Sequence, residues 1–467
     1  MRREPILDIY VHHTFAPPIR SSPQPQLHDM IWSIVLISLS PILIIYTFML
    51  LAAAVRPHLH RVALASSCTS RNAVSMATAS ASAATDVVLI EPTPSRVRKL
   101  TLNRPRQLNA LNEDVCATLR RAIDAWERDD AVCGVLLTGA GEKAFCAGGD
   151  VRALYDAGRE GNLQPARSFF GTEYKLNYAL GTYAKPIVSV VDGITMGGGG
   201  GVSMHGRYVV ATERTLFAMP ETALGLFPDV GAARFLTRRP GIAMGAWLAL
   251  TGARIKAPEL IALGLATHVV RSDALPALEA RLRGVAADWN DDGVGADAAI
   301  RAALEEFSGD ADLAKLSDDS ALHCASAIEA CFSKSSVEDV IGELERVAAS
   351  TNTPREAIWA RTSLQQIASA APISLKVTLR HMRDSVGLSL HDVLTMDYRL
   401  ACHFTRGSTF YEGVRAILVD KDRSPRFEPS SLADVSDEDV DAYFQRPEDG
   451  DIDLDETRQP GFFEGRL

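Results

Sequence analysis

Five consecutive glycines, Gly197–Gly201, stand in the stretch DGITMGGGGGVSMHG. Without side chains in the way, backbone N–H groups can close on a ligand. Where such a run opens a helix, the first amides have no intrahelical acceptor and point outward, toward an anion or a developing oxyanion. A plain flexible loop is the competing reading, because glycine clusters are common punctuation. Two phosphate-binding readings fail on residue type. The dinucleotide pattern GxGxxG lacks its last glycine, since Val202, Ser203 and Met204 fill those positions. No lysine follows, as a P-loop requires, and Ser203 sits in no GxSxG elbow. A backbone pocket for a carbonyl oxygen survives. Such a pocket converges two donors on one oxygen. The run Ala144-Phe145-Cys146-Ala147-Gly148-Gly149-Asp150 is the natural second loop. Asp150 opens a helix there and is expected to cap it rather than to catalyse. His205, about one turn further in, is expected to be buried and hydrogen-bonded.

The elements that must carry these loops alternate short β-branched runs with helical periods from Asp86 onward, the pattern of α/β units. Strands are expected at Val87–Ile90, Arg98–Leu102, Val135–Thr138, Ile187–Val191, Tyr208–Ala211 and Thr215–Ala218. Between the second and third, Asn112 can cap a crossover helix reaching Glu127, with Val115, Leu119, Ile123 and Trp126 on one face. Ile187–Val191 is apolar without alternation, as a strand covered on both faces should be. Strand, turn and helix thus recur three times, as a spiral of repeated units requires. Beyond about residue 275 the pattern turns helical, with helices expected over Asp297–Phe307, Ser336–Ala349, Arg355–Ala368 and Leu390–Cys402. The division expected is an N-terminal segment 1–85, a core 86–290, a helical region 291–430 and an acidic tail 431–467, loosely attached.

Composition narrows the class of function. The net charge of −10 is spread over both signs with no basic cluster, which argues against nucleic-acid binding. Seven scattered cysteines without a CxxC pair suggest neither a disulfide framework nor a zinc knuckle, and no metal ligand set is apparent. The N-terminal segment reads two ways. Met30–Val55 is apolar and long enough for one bilayer span of ~20 residues. Yet Met30 to Thr85 holds no acidic residue, while Arg56, Arg61 and Arg71 sit among Ser and Ala, as in an organelle transit peptide. A start of translation at Met76 is a third reading. Mitochondrial targeting is the expectation, with membrane anchoring through residues 30–55 the alternative. The terminal Gly465-Arg466-Leu467 does not match a peroxisomal tripeptide.

Four ordered stretches, LNRPRQLNAL from Leu102, AFCAGGD from Ala144, KPIVSVVDGITMGGGGG from Lys185 and FAMPETALGLFPDVG from Phe217, resemble the crotonase superfamily of acyl-coenzyme A enzymes. The likeness is strongest to its 3-hydroxyisobutyryl-CoA hydrolase branch. It extends from about Asp86 to about Arg426, including CFSKSSVEDVIGELE and FYEGVRAILVDKD. The resemblance implies an α/β fold, a crotonase-type spiral of ββα units with a helical C-terminal region. It also implies a thioester carbonyl held between the amides of Gly149 and Gly198. Coenzyme A would be part of the substrate, with no separate cofactor; homo-oligomerisation stays open.

That pocket is shared by hydratases, isomerases and hydrolases, so the carboxylates must decide the reaction. Hydratases of the superfamily carry a glutamate directly after the glycine turn, where this chain has Gly200-Gly201, and a second matching Glu221. Hydration uses both to handle one water, so the loss of the first argues for hydrolysis. Asp229, eight residues after Glu221, and Glu173 both match the hydrolases, Glu173 as a substrate-contacting residue. Glu221 follows Met219-Pro220 at the end of an apolar strand. Part-burial there would disfavour its ionised form and make it a stronger base. It would attack the carbonyl or activate water, while Asp229 positions the substrate hydroxyl or the water. The plain readings are a capping glutamate at 221, ordinary Pro-Asp turn chemistry at 229 and a solvated helix face at 173. Two other functions remain alternatives: an enoyl-CoA hydratase or isomerase using Glu221 alone, and a non-catalytic crotonase-fold subunit of an organellar ribosome.

Overall fold

The computed structural model describes residues 86–92, 95–285 and 294–458, which belong to the compact unit Ala81–Leu467. The transit and anchor readings of residues 1–85 lie outside the described residues.

Among the described residues nine strands form two sheets. The larger runs β1 (Val88–Ile90), β2 (Val97–Leu102), β3 (Gly134–Gly139), β5 (Ile187–Val191), β7 (Tyr208–Ala211) and β9 (His268–Val269), in that order. The smaller runs β4 (Ala144–Cys146), β6 (Ile194–Met196) and β8 (Leu216–Ala218). β1 pairs antiparallel with β2, and every other pairing is parallel. Odd-numbered strands from β3 to β7 feed the large sheet and the strand after each feeds the small one. The chain therefore advances by one ββ step per turn of a spiral, in agreement with the expected ββα repeat. β5 shows why its sequence lacks alternation. Val188 and Val190 face one core, with Leu278, Leu282 and Ile300, while Ile187 and Val191 face the other.

Helices α1 (Glu113–Glu127), α2 (Val151–Arg159), α3 (Gln164–Gly181) and α4 (Gly198–Ser203) connect these strands. Asn112 caps α1 as expected, its Oδ1 accepting from the Val115 amide at 3.0 Å. Asp150 differs from expectation. It makes no side-chain cap to α2, and its Oδ2 instead accepts from Arg104 at 2.9 Å, because the ion pair across the loop outcompetes an amide for the same oxygen.

After β8 the chain is almost wholly helical: α5 (Ala232–Arg238), α6 (Ile242–Thr251), α7 (Ala257–Ala262), α8 (Leu275–Gly284), α9 (Val294–Phe307), α10 (Ala325–Phe332), α11 (Val337–Ala348), α12 (Pro354–Ala368), α13 (Pro372–Asp384), α14 (Leu390–Phe404), α15 (Ser408–Val414) and α16 (Asp437–Tyr443). α8 and α9 cover the large sheet, while α14 packs on α3. The tail corrects one expectation. Residues 434–458 do not hang loose: Val435, Val440 and Leu454 are buried, and Arg458 lies 2.9 Å from Glu127. Acidic composition suggested a solvated segment. Its aspartates find arginines instead, as in the pair Arg399–Asp451 at 2.7 Å, and its few apolar residues are spaced to reach the core.

Candidate active site

The glycine run sits where β6 gives way to α4, and it is buried from Gly198 to Gly201. Gly197 turns the chain with φ 51° and ψ −120°, a backbone region that suits glycine. A Cβ placed there would lie 2.5 Å from Glu221 Oε1. One placed on Gly198 would lie 2.5 Å from Glu173 Oε1 and 3.4 Å from the Gly149 amide nitrogen. Glycine is therefore needed so that two carboxylates and a second loop can come against the backbone. Gly198 is the first residue of α4, so its N–H has no intrahelical acceptor. Gly149 lies in a parallel bridge with Leu111, whose bonds use Gly148 O and the Asp150 amide and leave the Gly149 N–H aside. Among the described residues neither N–H has a protein acceptor. The two donor loops expected from sequence do converge.

Around them stand three carboxylates from three elements. Glu173 comes from the middle of α3, Glu221 from the 3-10 turn Glu221–Leu224 after β8, and Asp229 from the turn entering α5. All are buried, at 2%, 7% and 8% exposure. Glu173 Oε1 and Glu221 Oε2 have no hydrogen-bond partner among the described residues. Burial pushes both well above the ordinary carboxylate range, and the other carboxylates push further: Asp229 then Glu221 on Glu173, and Asp229 on Glu221. Asp229 is pushed up to about 7, again by burial first. Tyr174 opposes that rise, its hydroxyl donating to Asp229 Oδ2 at 2.6 Å, while the nearby Asp397 adds to it. Three carboxyl groups so placed cannot all ionise, so protons are retained among them and titrate jointly. A neutral carboxyl donates a hydrogen bond to an oxygen of a bound molecule; a desolvated carboxylate is a strong base or nucleophile. The site holds both kinds of group beside two free amides.

The solvated-face reading of Glu173 is overturned. α3 packs between α1 and α14, so the face bearing Glu173 and, one turn on, Asn177 is interior. Sequence reasoning missed Tyr174, Asn177, His381 and Asp397. Glu173 and Asn177, four apart on an otherwise apolar stripe, were a usable signal for α3. Nothing local marks Asp397. His205 behaves as expected, buried with Nε2 donating to Val230 O at 2.8 Å, and burial lowers it to about 4. At Gly201 a Cβ would meet Val230 Cβ at 2.6 Å and Asn177 Nδ2 at 3.0 Å. A hydratase-type glutamate there would displace the turn that carries Asp229.

Residues 97–444 match the family model described as enoyl-CoA hydratase/isomerase. The chain is 44% identical over 364 residues to 3-hydroxyisobutyryl-CoA hydrolase 1 of Arabidopsis thaliana, covering 77% of this chain and 92% of that one. It is 43% identical to the mitochondrial 3-hydroxyisobutyryl-CoA hydrolase of Gallus gallus, covering 76% and 88%. Among solved structures, a carnitinyl-CoA dehydratase from Mycobacterium thermoresistibile superposes with a TM-score of 0.67 at 37% identity, covering 78% of this chain and 98% of that one. With the double-sheet spiral, the paired glycine amides and these relatives in agreement, the chain belongs to the enoyl-CoA hydratase/isomerase, or crotonase, family.

Proposed function

We propose that this protein hydrolyses 3-hydroxyisobutyryl-CoA, or a closely related short 3-hydroxyacyl-CoA, to the free acid and coenzyme A. The observation that carries the reading is the company of the glycine amides. Glu221 comes against Gly197 and Glu173 against Gly198, with Asp229 close enough to both acids to raise them, while Gly201 has no room for the glutamate that hydration would use. The relatives named as 3-hydroxyisobutyryl-CoA hydrolases support the acyl group. In the reaction the thioester oxygen gains negative charge and is held by the Gly149 and Gly198 N–H groups. Glu221 either adds to the carbonyl, breaking the C–S bond to give an anhydride that water then opens, or takes a proton from the attacking water; the expelled thiolate takes its proton from Glu221 in the second route and from solvent in the first. Asp229 and Glu173 hold the substrate hydroxyl or the water. Single turnover in H₂¹⁸O separates the routes: label recovered in Glu221 marks covalent addition.

The test is thiol release across a panel of acyl-CoAs, with crotonyl-CoA as the hydration control. Rapid release from 3-hydroxyisobutyryl-CoA supports hydrolysis. Hydration of crotonyl-CoA without thiol release sinks it, a useful contrast given that one structural relative is a carnitinyl-CoA dehydratase. Service in valine breakdown inside mitochondria is part of the same proposal. It draws on Arg56, Arg61 and Arg71 in a segment without acids and on the vertebrate relatives named mitochondrial. No helix among the described residues is long and apolar enough to cross a membrane.

A further inference from the structure

The turn that presents Asp229 is strained. Val230, a buried β-branched residue, has φ 54°, and Gly231 follows at φ 76°. A left-handed valine is disfavoured and persists only when its surroundings hold it. Two buried groups do so from opposite sides. His205 donates to Val230 O, and the Gly231 amide donates to Asp397 Oδ2 at 2.7 Å. Asp397, on α14, is fully buried, and its other oxygen lies 2.7 Å from His381 Nε2 on α13. The two stand at ion-pair distance with the ring N–H off the line of centres. His381 also packs edge-on against Phe227, two residues before Asp229, with ring centroids 5.6 Å apart. The helical C-terminal region thus reaches into the site with a buried acid.

We infer that Asp397, backed by His381, is a positioning residue for the proposed thioester hydrolysis: it grips the Gly231 amide, holds the Val230–Gly231 turn left-handed, and so fixes where Asp229 points. The inference rests on the hydrolase reading only for its kinetic arm. A negative charge at Asp397 also disfavours the Asp229 anion. The groups facing Asp229 are Tyr174 and Glu173 from α3, Glu221 from the 3-10 turn, and Asp397 with His381 behind it.

The experiment compares Asp397→Asn and Asp397→Ala. The asparagine keeps an oxygen for Gly231 but loses the charge, whereas the alanine loses both. Expected for Asp397→Ala is a fall in kcat of about 10²-fold with KM changed only a few-fold, the size of a roughly 1 Å misplacement. Asp397→Asn should recover most of that kcat, while the acidic limb of kcat/KM moves to lower pH. Carboxyl ¹³C NMR of the ligand-free protein, with Asp229→Asn to assign the signal, should show the same acid shift without any substrate. If Asp397→Asn leaves both the Asp229 titration and the kcat/KM profile where the wild type has them, or if both variants lose activity equally, the positioning role is wrong. If the wild type releases no thiol from any acyl-CoA, the hydrolase reading falls, and the NMR titration alone still decides whether Asp397 governs Asp229. An Asp397→Ala chain that does not fold leaves Asp397→Asn to decide both arms.

Discussion

Two regions bury acids in opposite ways. Behind the large sheet, Asp297 of α9 is met by Arg207, lies 3.5 Å from Arg301 and accepts from the Tyr208 hydroxyl at 2.8 Å. Each oxygen has a donor, and the cations cancel the charge. At the glycine turn, three buried carboxyl groups face one another, and no lysine or arginine pairs with any of them among the described residues. An acid buried for stability is paired, because an unpaired buried charge costs several kcal/mol. An acid buried for chemistry is left short of partners, so that it can hold a proton near neutral pH to pass on, and its lone pair stays free for a substrate. Stability and function separate along that line.

The largest expected contrast is between Glu221→Gln and Asp297→Asn. The first should cut kcat/KM for thiol release by at least ~10³-fold with the chain still folded, since it removes the acting base or nucleophile. The second leaves two arginines facing a neutral amide and should cost on the order of 3–5 kcal/mol in urea unfolding, with kcat changed less than about two-fold. A catalytic loss in Asp297→Asn, or a mainly thermodynamic loss in Glu221→Gln, would break the comparison. Next comes Gly198→Ala, whose methyl would meet Glu173 Oε1 at 2.5 Å and Leu111 Cδ1 at 3.1 Å. Displacing one amide donor should lower kcat by about 10²–10³-fold, with circular dichroism unchanged.

Asp229→Asn follows, and it sharpens the comparison through pH. Its folded-state value, about 7 against an ordinary 3.8, is raised. The stability it lends is therefore complete below about 4 and is lost as pH rises toward 7, because the unfolded chain releases the proton first. The wild-type melting temperature should thus decline across that window, and Asp229→Asn should decline less. Glu173 and Glu221, raised in the same direction, keep some slope in the variant. A wild-type melting temperature that rises from pH 4 to 7 would contradict the burial of three uncompensated acids.

How much of this was visible in the residues follows the range of the interactions. The two donor loops could be read locally: small residues after a buried strand and before a helix have few other uses, and Gly149 and Gly198 do meet. The spiral was legible for a similar reason, since each strand's pattern records which faces it covers. For Glu173 periodicity alone also allowed a solvated face beside the substrate-contacting reading, and its burial follows from α1 and α14 packing on α3. Asp397 was invisible. It reaches Gly231 across 166 positions of chain, and MDYRLACHF gives no sign that its acid is needed elsewhere. The tail was misread because composition counts charges without saying whether arginines wait for them. In each miss the deciding partner is distant in sequence.

Tyr174→Phe is the smallest and most diagnostic change. The hydroxyl donates to Asp229 Oδ2 and is the one hydrogen bond that a side chain gives this acid among the described residues. It stabilises the anion, so its loss should raise Asp229 above its present value of about 7, against the fall expected for Asp397→Asn. If the ionised Asp229 is the active form, kcat/KM should rise with pH through a limb near 7 in the wild type and through a more alkaline one in Tyr174→Phe. Above both limbs the two enzymes should differ by less than about ten-fold, because a single neutral donor is worth only ~1 kcal/mol net. A limb that does not move would mean that another of the three carboxyl groups controls it. The profile of Glu173→Gln would then tell Glu173 from Glu221, since Asp229 is the carboxyl that acts most strongly on Glu173.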